Sequence, residues 1–287
     1  MQEIEFARSQ RAYKKLSQVI TKALRLHPTK PDLWSYAAQL AMDEQGDIAE
    51  ARSCMQRGLR FCKNSKSLWL SYLRLELLYL AKINARHRML GFQSSSESNN
   101  GHLLLSDGGG ETPDQVEVNK SESAAPSGLQ DLDVDKALTE SPAFDGTVPI
   151  AIADAAITQF GHDEYLCLQF FEMTYEADCG PSKRRILEHL VGLMEHSSPR
   201  DWRIIMWKMR LSCSDISPQS PSFPSSFGHA LKILQSAPPE TRACSHLIEA
   251  VETWLGTFLE DDDLDSALRR IMLSTTHRLR NVERQIA

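Results

Sequence analysis

The 287-residue sequence holds six cysteines and no Cys-x-x-Cys pair. Cys54, Cys62, Cys167, Cys179, Cys213 and Cys244 are widely scattered. That spacing argues against a zinc site or a disulfide framework and for reduced, mostly buried thiols. Long apolar runs are missing as well. The most hydrophobic stretch, 68–83, contains Arg74, Glu76 and Lys82 and is too short and too charged to span a bilayer. The opening Met1-Gln2-Glu3-Ile4-Glu5-Phe6 has neither a basic n-region nor an apolar core, so no secretory signal is expected. The nine histidines have no metal-like companions, and no HExxH, glycine-rich phosphate loop or Ser/Cys-His-Asp set can be assembled. Strand-like runs bounded by hairpin turns are absent too. These absences predict a soluble, intracellular, helical chain that is not an enzyme. No catalytic, cofactor-binding or metal site is expected, and neither a membrane nor a small-molecule substrate as partner.

The charge is unevenly placed. A net of −6 conceals a basic block, +8 over residues 1–92, and an acidic one, −9 over 93–147. Mild overall acidity therefore does not exclude a nucleic-acid partner. Residues 93–147 are rich in Ser, Gly, Asp and Glu, include Gly108-Gly109-Gly110 and a single aromatic, Phe144, and show no hydrophobic period. Such a segment buries too little apolar area to offset ~1–2 kcal/mol of ordering entropy per residue and is read as a disordered acidic insertion. Residues 214–226 form a second loop, rich in Pro and Ser, whose prolines are expected to break any helix.

The flanks, 1–92, 148–213 and 227–287, are dense in Ala, Leu, Glu, Lys and Arg and read as helical throughout. They also repeat. Leu33-Trp34 recurs as Leu68-Trp69, and the same shift of 35 lays Lys22 on Arg57 and Arg25 on Arg60. Over 66–83, Trp69, Tyr72, Leu73, Glu76 and Leu80 share one helix face, while Leu70, Leu75, Leu78 and Tyr79 make the others apolar. An inner helix of a stack has that character. The scheme returns with helices at 165–176, 182–194 and 202–211, then 243–259 and 264–280, with Asp261-Asp262-Asp263 placed to cap the last. Helix-turn-helix units with a period near 35 imply an all-α fold, an α-solenoid interrupted by the acidic insertion.

Trp69-x-x-Tyr72-x-x-x-Glu76 resembles the first helix of a HAT (half-a-TPR) repeat, and Ala51-Arg52…Arg57-Gly58-Leu59-Arg60 resembles the second. Two longer stretches, 4–28 and 160–172, resemble the U3 small nucleolar RNA-associated protein 6 family in its fungal form. The resemblance covers roughly 4–92 and 148–213. It implies a nuclear, nucleolar scaffold of the small-subunit processome that joins β-propeller subunits and the U3 snoRNP during maturation of pre-rRNA to 18S rRNA. Against that pattern the chain starts inside a repeat, so an N-terminal truncation, by gene model or isoform, is expected. Ala37 and Ala41 stand where Tyr and Glu would, and Ile205 and Arg210 replace the signature after Trp202.

Each candidate residue has two readings. Trp34, Trp69 and Trp202, with Tyr72, offer a stacking platform for RNA bases, but repeat-locked positions favour packing between helices. Glu76 lacks a second acid or a nucleophile, so an ion pair with an Arg of the following helix is expected. Lys22, Arg25, Arg52, Arg57, Arg60, Lys63 and Lys66 read either as a solvated face or as a stripe that contacts RNA phosphates or an acidic partner. Two alternatives to the processome stay open: a HAT scaffold in pre-mRNA splicing or 3′-end processing, and a TPR-like peptide-binding adaptor.

Overall fold

The computed structural model describes residues 13–44, 46–89, 145–161, 163–261 and 264–286, and these fold as an all-α solenoid. Its helices in chain order are α1 (Tyr13–Leu26), α2 (Pro31–Glu44), α3 (Ile48–Phe61), α4 (Lys66–Met89), α5 (Thr147–Gln159) and α6 (Glu164–Glu176). They continue as α7 (Ser182–Ser197), α8 (Trp202–Ser212), α9 (Phe223–Ser236), the short α10 (Pro239–Arg242), α11 (Ser245–Leu259) and α12 (Ser266–Ile286). Residues 93–144 of the expected insertion, the 4–10 stretch, His162 and Asp262-Asp263 lie outside the described residues.

Local chemistry sets the helix starts. Asp47, Asp163 and Asp201 stand before α3, α6 and α8 and accept backbone N–H bonds from Glu50, Leu166 and Arg203, meeting donors that the first turn leaves unpaired. Two expectations are corrected here. The Pro/Ser-rich stretch ends earlier than 226, because Phe223 opens α9 with Pro224 in its first turn. A proline there loses no helical hydrogen bond and its fixed φ suits the helix. For α12, the capping acid is Asp265, whose carboxylate accepts the Ala267 N–H at 2.6 Å. Asp261 contributes its carbonyl to Arg269 instead.

Successive helices pair and stack: α2 with α3, α4 with α5, α6 with α7, α8 with α9, and α11 with α12. In the sequence the acidic segment stands between α4 and α5, two helices that pack on each other. One apolar core runs across it, from Leu16 and Ile20 through Leu73, Leu80, Ile152 and Phe170 to Trp207 and Leu211. A second core, from Met206 to Leu279, holds α8, α9, α11 and α12 together. Polar ties also bridge the segment: Gln159 to Asn64, Asn84 to Asp178, and Arg88 to Asp178.

Candidate partner and RNA interface

Trp34 and Trp69 are each the fourth residue of their helix, and each donates its indole N–H to the carbonyl six residues back. Trp34 reaches Pro28 at 2.8 Å and Trp69 reaches Lys63 at 3.4 Å. The rings thus fasten the turn that leads into their own helix. Trp34 is buried, stacks on Phe61 at 5.8 Å and presses on Gly58, where an added Cβ would lie 2.7 Å from its Cγ. Trp202 sits elsewhere. It is the first residue of α8, half-buried against the second core, with the His246 ring at 6.1 Å and the Arg203 guanidinium 5.7 Å from its ring centroid. The buried tryptophan of α8 is Trp207, stacked on Phe171 at 4.2 Å.

Glu76 is 1% exposed and pairs with Arg52 through two hydrogen bonds of 2.7 Å. The partner comes from the preceding helix, α3, rather than the following one. Tyr72, also buried, accepts from Gln56 at 3.4 Å. The guanidinium of Arg52 lies 5.3 Å from the Tyr79 ring, and the carboxylate beside it raises its pKa. The same construction recurs in a place that repeat spacing does not reveal. Arg210 grips Glu172 at 2.5 and 2.9 Å and covers the Tyr175 ring at 4.0 Å. A Glu-x-x-Tyr pair in both helices is the sequence signal that marks it.

These contacts thin the basic stripe. Arg52 is spent on Glu76, and Lys66 pairs with Asp163 at 2.7 Å. Lys22, Arg25, Arg57, Arg60 and Lys63 remain exposed, with no ion-pair partner among the described residues. Arg25 and Arg57 line one cavity of about 530 Å³, floored by Ile20, Leu24, Trp34 and Phe61. The patch belongs to α1, α3 and the turn after α3, because the next outer helix, α5, presents Ala151, Ala155 and Thr158 to solvent. A second groove, about 790 Å³, lies across α6, α8 and α11. Tyr175, Trp202, Trp254 and Phe258 line it, but guanidiniums already sit by the rings of Tyr175 and Trp202, and Glu172, Glu164 and Asp201 pair those guanidiniums. It does not extend the basic patch.

Burial pushes the Cys167 thiol up to about 12 and those of Cys54, Cys179 and Cys213 to about 11, so they are poor nucleophiles. Among the described residues no group of His, Cys, Asp and Glu could hold a metal ion, and no helix is long and apolar enough to cross a membrane.

Compared with known protein families, the chain matches no family model. It does share sequence with three curated proteins. Over 97 residues it is 31% identical to a Schizosaccharomyces pombe protein named U3 small nucleolar RNA-associated protein 6, a match covering 34% of this chain and 20% of that one. It is 35% identical over 69 residues to the human homolog of that name, covering 24% and 12%, and 34% identical over 68 residues to the mouse homolog, covering 24% and 11%. The expected likeness to these proteins is present, and the matched stretch spans a fifth or less of their length.

Proposed function

We propose that this chain is a non-enzymatic HAT-repeat scaffold of the U3 snoRNP-containing small-subunit processome, acting in the nucleolus in the processing of pre-rRNA to 18S rRNA. The shared sequence with proteins named for association with U3 small nucleolar RNA carries the reading. The stacked helix pairs and the Trp-fastened turns support it, since a solenoid works by presenting long helical surfaces to partners. In this reading β-propeller protein subunits are the direct partners. The exposed cations of α1 and α3 meet the phosphates of U3 or precursor RNA, or an acidic partner segment.

The experiment is affinity purification of the tagged full chain, with mass spectrometry of proteins and sequencing of RNA. Co-recovery of U3 RNA and propeller subunits is expected. Spliceosomal or 3′-end-processing components in their place would overturn the reading. The basic patch has its own test in the same assay. Changing Lys22, Arg25, Arg57 and Arg60 to Ala should reduce recovered RNA and weaken the salt dependence of capture, with helical content unchanged. Equal recovery would assign the patch to solvent.

A further inference from the structure

Helices α1 and α3 both pack on α2 and scarcely on each other. The gap between them is the cavity of about 530 Å³, with Trp34 and Leu40 of α2 along its floor. Phe61, which lines it from the end of α3, is 57% exposed. Lys22, Arg25, Arg57, Arg60 and Lys63 stand around this apolar surface, exposed and without an ion-pair partner among the described residues. Glu50 is the one acid of the lining. It comes seven residues before Arg57, about 10 Å away along α3. Phosphates alone would meet the cations and leave the apolar floor wet. A segment with acidic and aliphatic side chains together covers both.

The chain itself carries such a segment. In residues 129–140, Leu129, Leu132, Val134 and Leu138 are set among Asp131, Asp133, Asp135 and Glu140. Lys136 brings the net charge to −3 and offers a counterpart for Glu50. The other aliphatic cluster of the acidic insertion, Leu103-Leu104-Leu105, has one acid within five residues, Asp107. The tether is long enough. Helix α5 packs on α4, and α4 on α3, so α5 lies about two interaxial spacings, ~20 Å, from the groove wall. Twelve residues separate Asp133 from Asp145, and an extended chain of that length reaches ~40 Å. On the other side, forty residues join Met89 to Leu129. Tethering holds a segment at about millimolar effective concentration, which favours it over a separate partner of equal intrinsic affinity.

We infer that residues 129–140 dock in the groove between α1 and α3 of their own chain. The aspartates pair with Arg25, Arg57 and the cations beside them, and the aliphatic side chains cover Leu24 and Phe61. RNA phosphates or an acidic partner compete with this segment for the same cations. The docking itself involves no RNA, so it stands or falls independently of the processome reading.

Fluorescence anisotropy with the purified full chain and a labelled, capped peptide of residues 129–140 tests the inference. In the wild-type chain the tethered segment competes with the peptide. A full chain with Asp131→Asn, Asp133→Asn and Asp135→Asn should therefore bind the peptide about tenfold or more tightly than wild type. Arg25→Glu with Arg57→Glu, both exposed positions, should abolish that binding in the Asn variant. A peptide with Leu129, Leu132, Val134 and Leu138 changed to Ser keeps its charge and should bind at least tenfold more weakly. Location is read separately. A full chain carrying Val134→benzoylphenylalanine should crosslink under ultraviolet light to α1 or α3 of the same molecule, as mapped by mass spectrometry. The inference is overturned if the peptide does not bind, or if wild type and the Asn variant bind it alike. Equal binding of the Ser peptide would reduce the contact to general charge attraction and reject it. Binding unchanged by the Arg→Glu pair, or crosslinks that fall outside α1 and α3 or join two molecules, would reject it equally.

Discussion

Single side chains decide whether this solenoid keeps its pitch. Removing one partner of a buried ion pair leaves a charge without compensation, so Glu76→Gln should cost about 3 kcal/mol in chemical denaturation, while Glu76→Leu with Arg52→Met should cost far less. Gly58→Ala sets two effects against each other. Alanine gains ~1 kcal/mol of helix propensity, but its Cβ would meet the Cγ and Cβ of Trp34 at 2.7 and 2.8 Å. Those atoms lie at the root of a locked ring and cannot swing aside. Overpacking of this kind costs about 1–3 kcal/mol, so the variant should be less stable in the same measurement. Thiol labelling gives an independent check. Cys244 is the least buried of the six cysteines, so iodoacetamide at pH 8 should modify it first in the native protein, as read by mass spectrometry. Burial and raised pKa should delay the others until the protein opens.

Helix ends are the next level. Asp163 both caps α6 and pairs with Lys66 of α4, and the Lys66 ammonium holds its carboxyl below the ordinary 3.8. A carboxyl whose folded pKa is depressed stabilises the fold above its unfolded pKa, and that stability is lost as pH falls through the folded value. Asp163→Ala should therefore cost about 1 kcal/mol at neutral pH. Asp163→Asn should keep the cap and flatten the loss of melting temperature below pH 4. Element positions were largely legible in the sequence, because apolar residues recur at helical spacing and Trp34 and Trp69 mark equivalent starts. Two ends were not. Pro224 looks like a breaker until its place in the first turn is known, and three consecutive aspartates outweighed Asp265, the one acid adjoining Ser266. Tertiary partners were harder still. Nothing in the spacing of Glu76 says whether its arginine comes from the helix before or after, nor that Lys66 is already engaged. Burial and unpaired cations, which define the patch of α1 and α3, exist only once the helices are stacked.

At the scale of the whole molecule, the charge that a net of −6 conceals is sorted in space as well as in sequence. Exposed cations gather on α1 and α3, and the groove across α6, α8 and α11 is paired to near neutrality. Because one core crosses from α4 to α5, the acidic segment is not needed to join the two halves. Replacing residues 90–144 with a Gly/Ser linker of about ten residues should leave a single cooperative thermal transition at nearly the same midpoint, since a flexible chain of that length spans ~17 Å. Two separated transitions would show that the halves fold apart. The proposed scaffold role is tested most directly by rRNA synthesis. Depleting the protein from its own cells and pulse-labelling RNA should lower new 18S rRNA, leave large-subunit rRNA near normal, and be reversed by re-expressing the full-length protein. Unchanged 18S production after depletion would contradict the account.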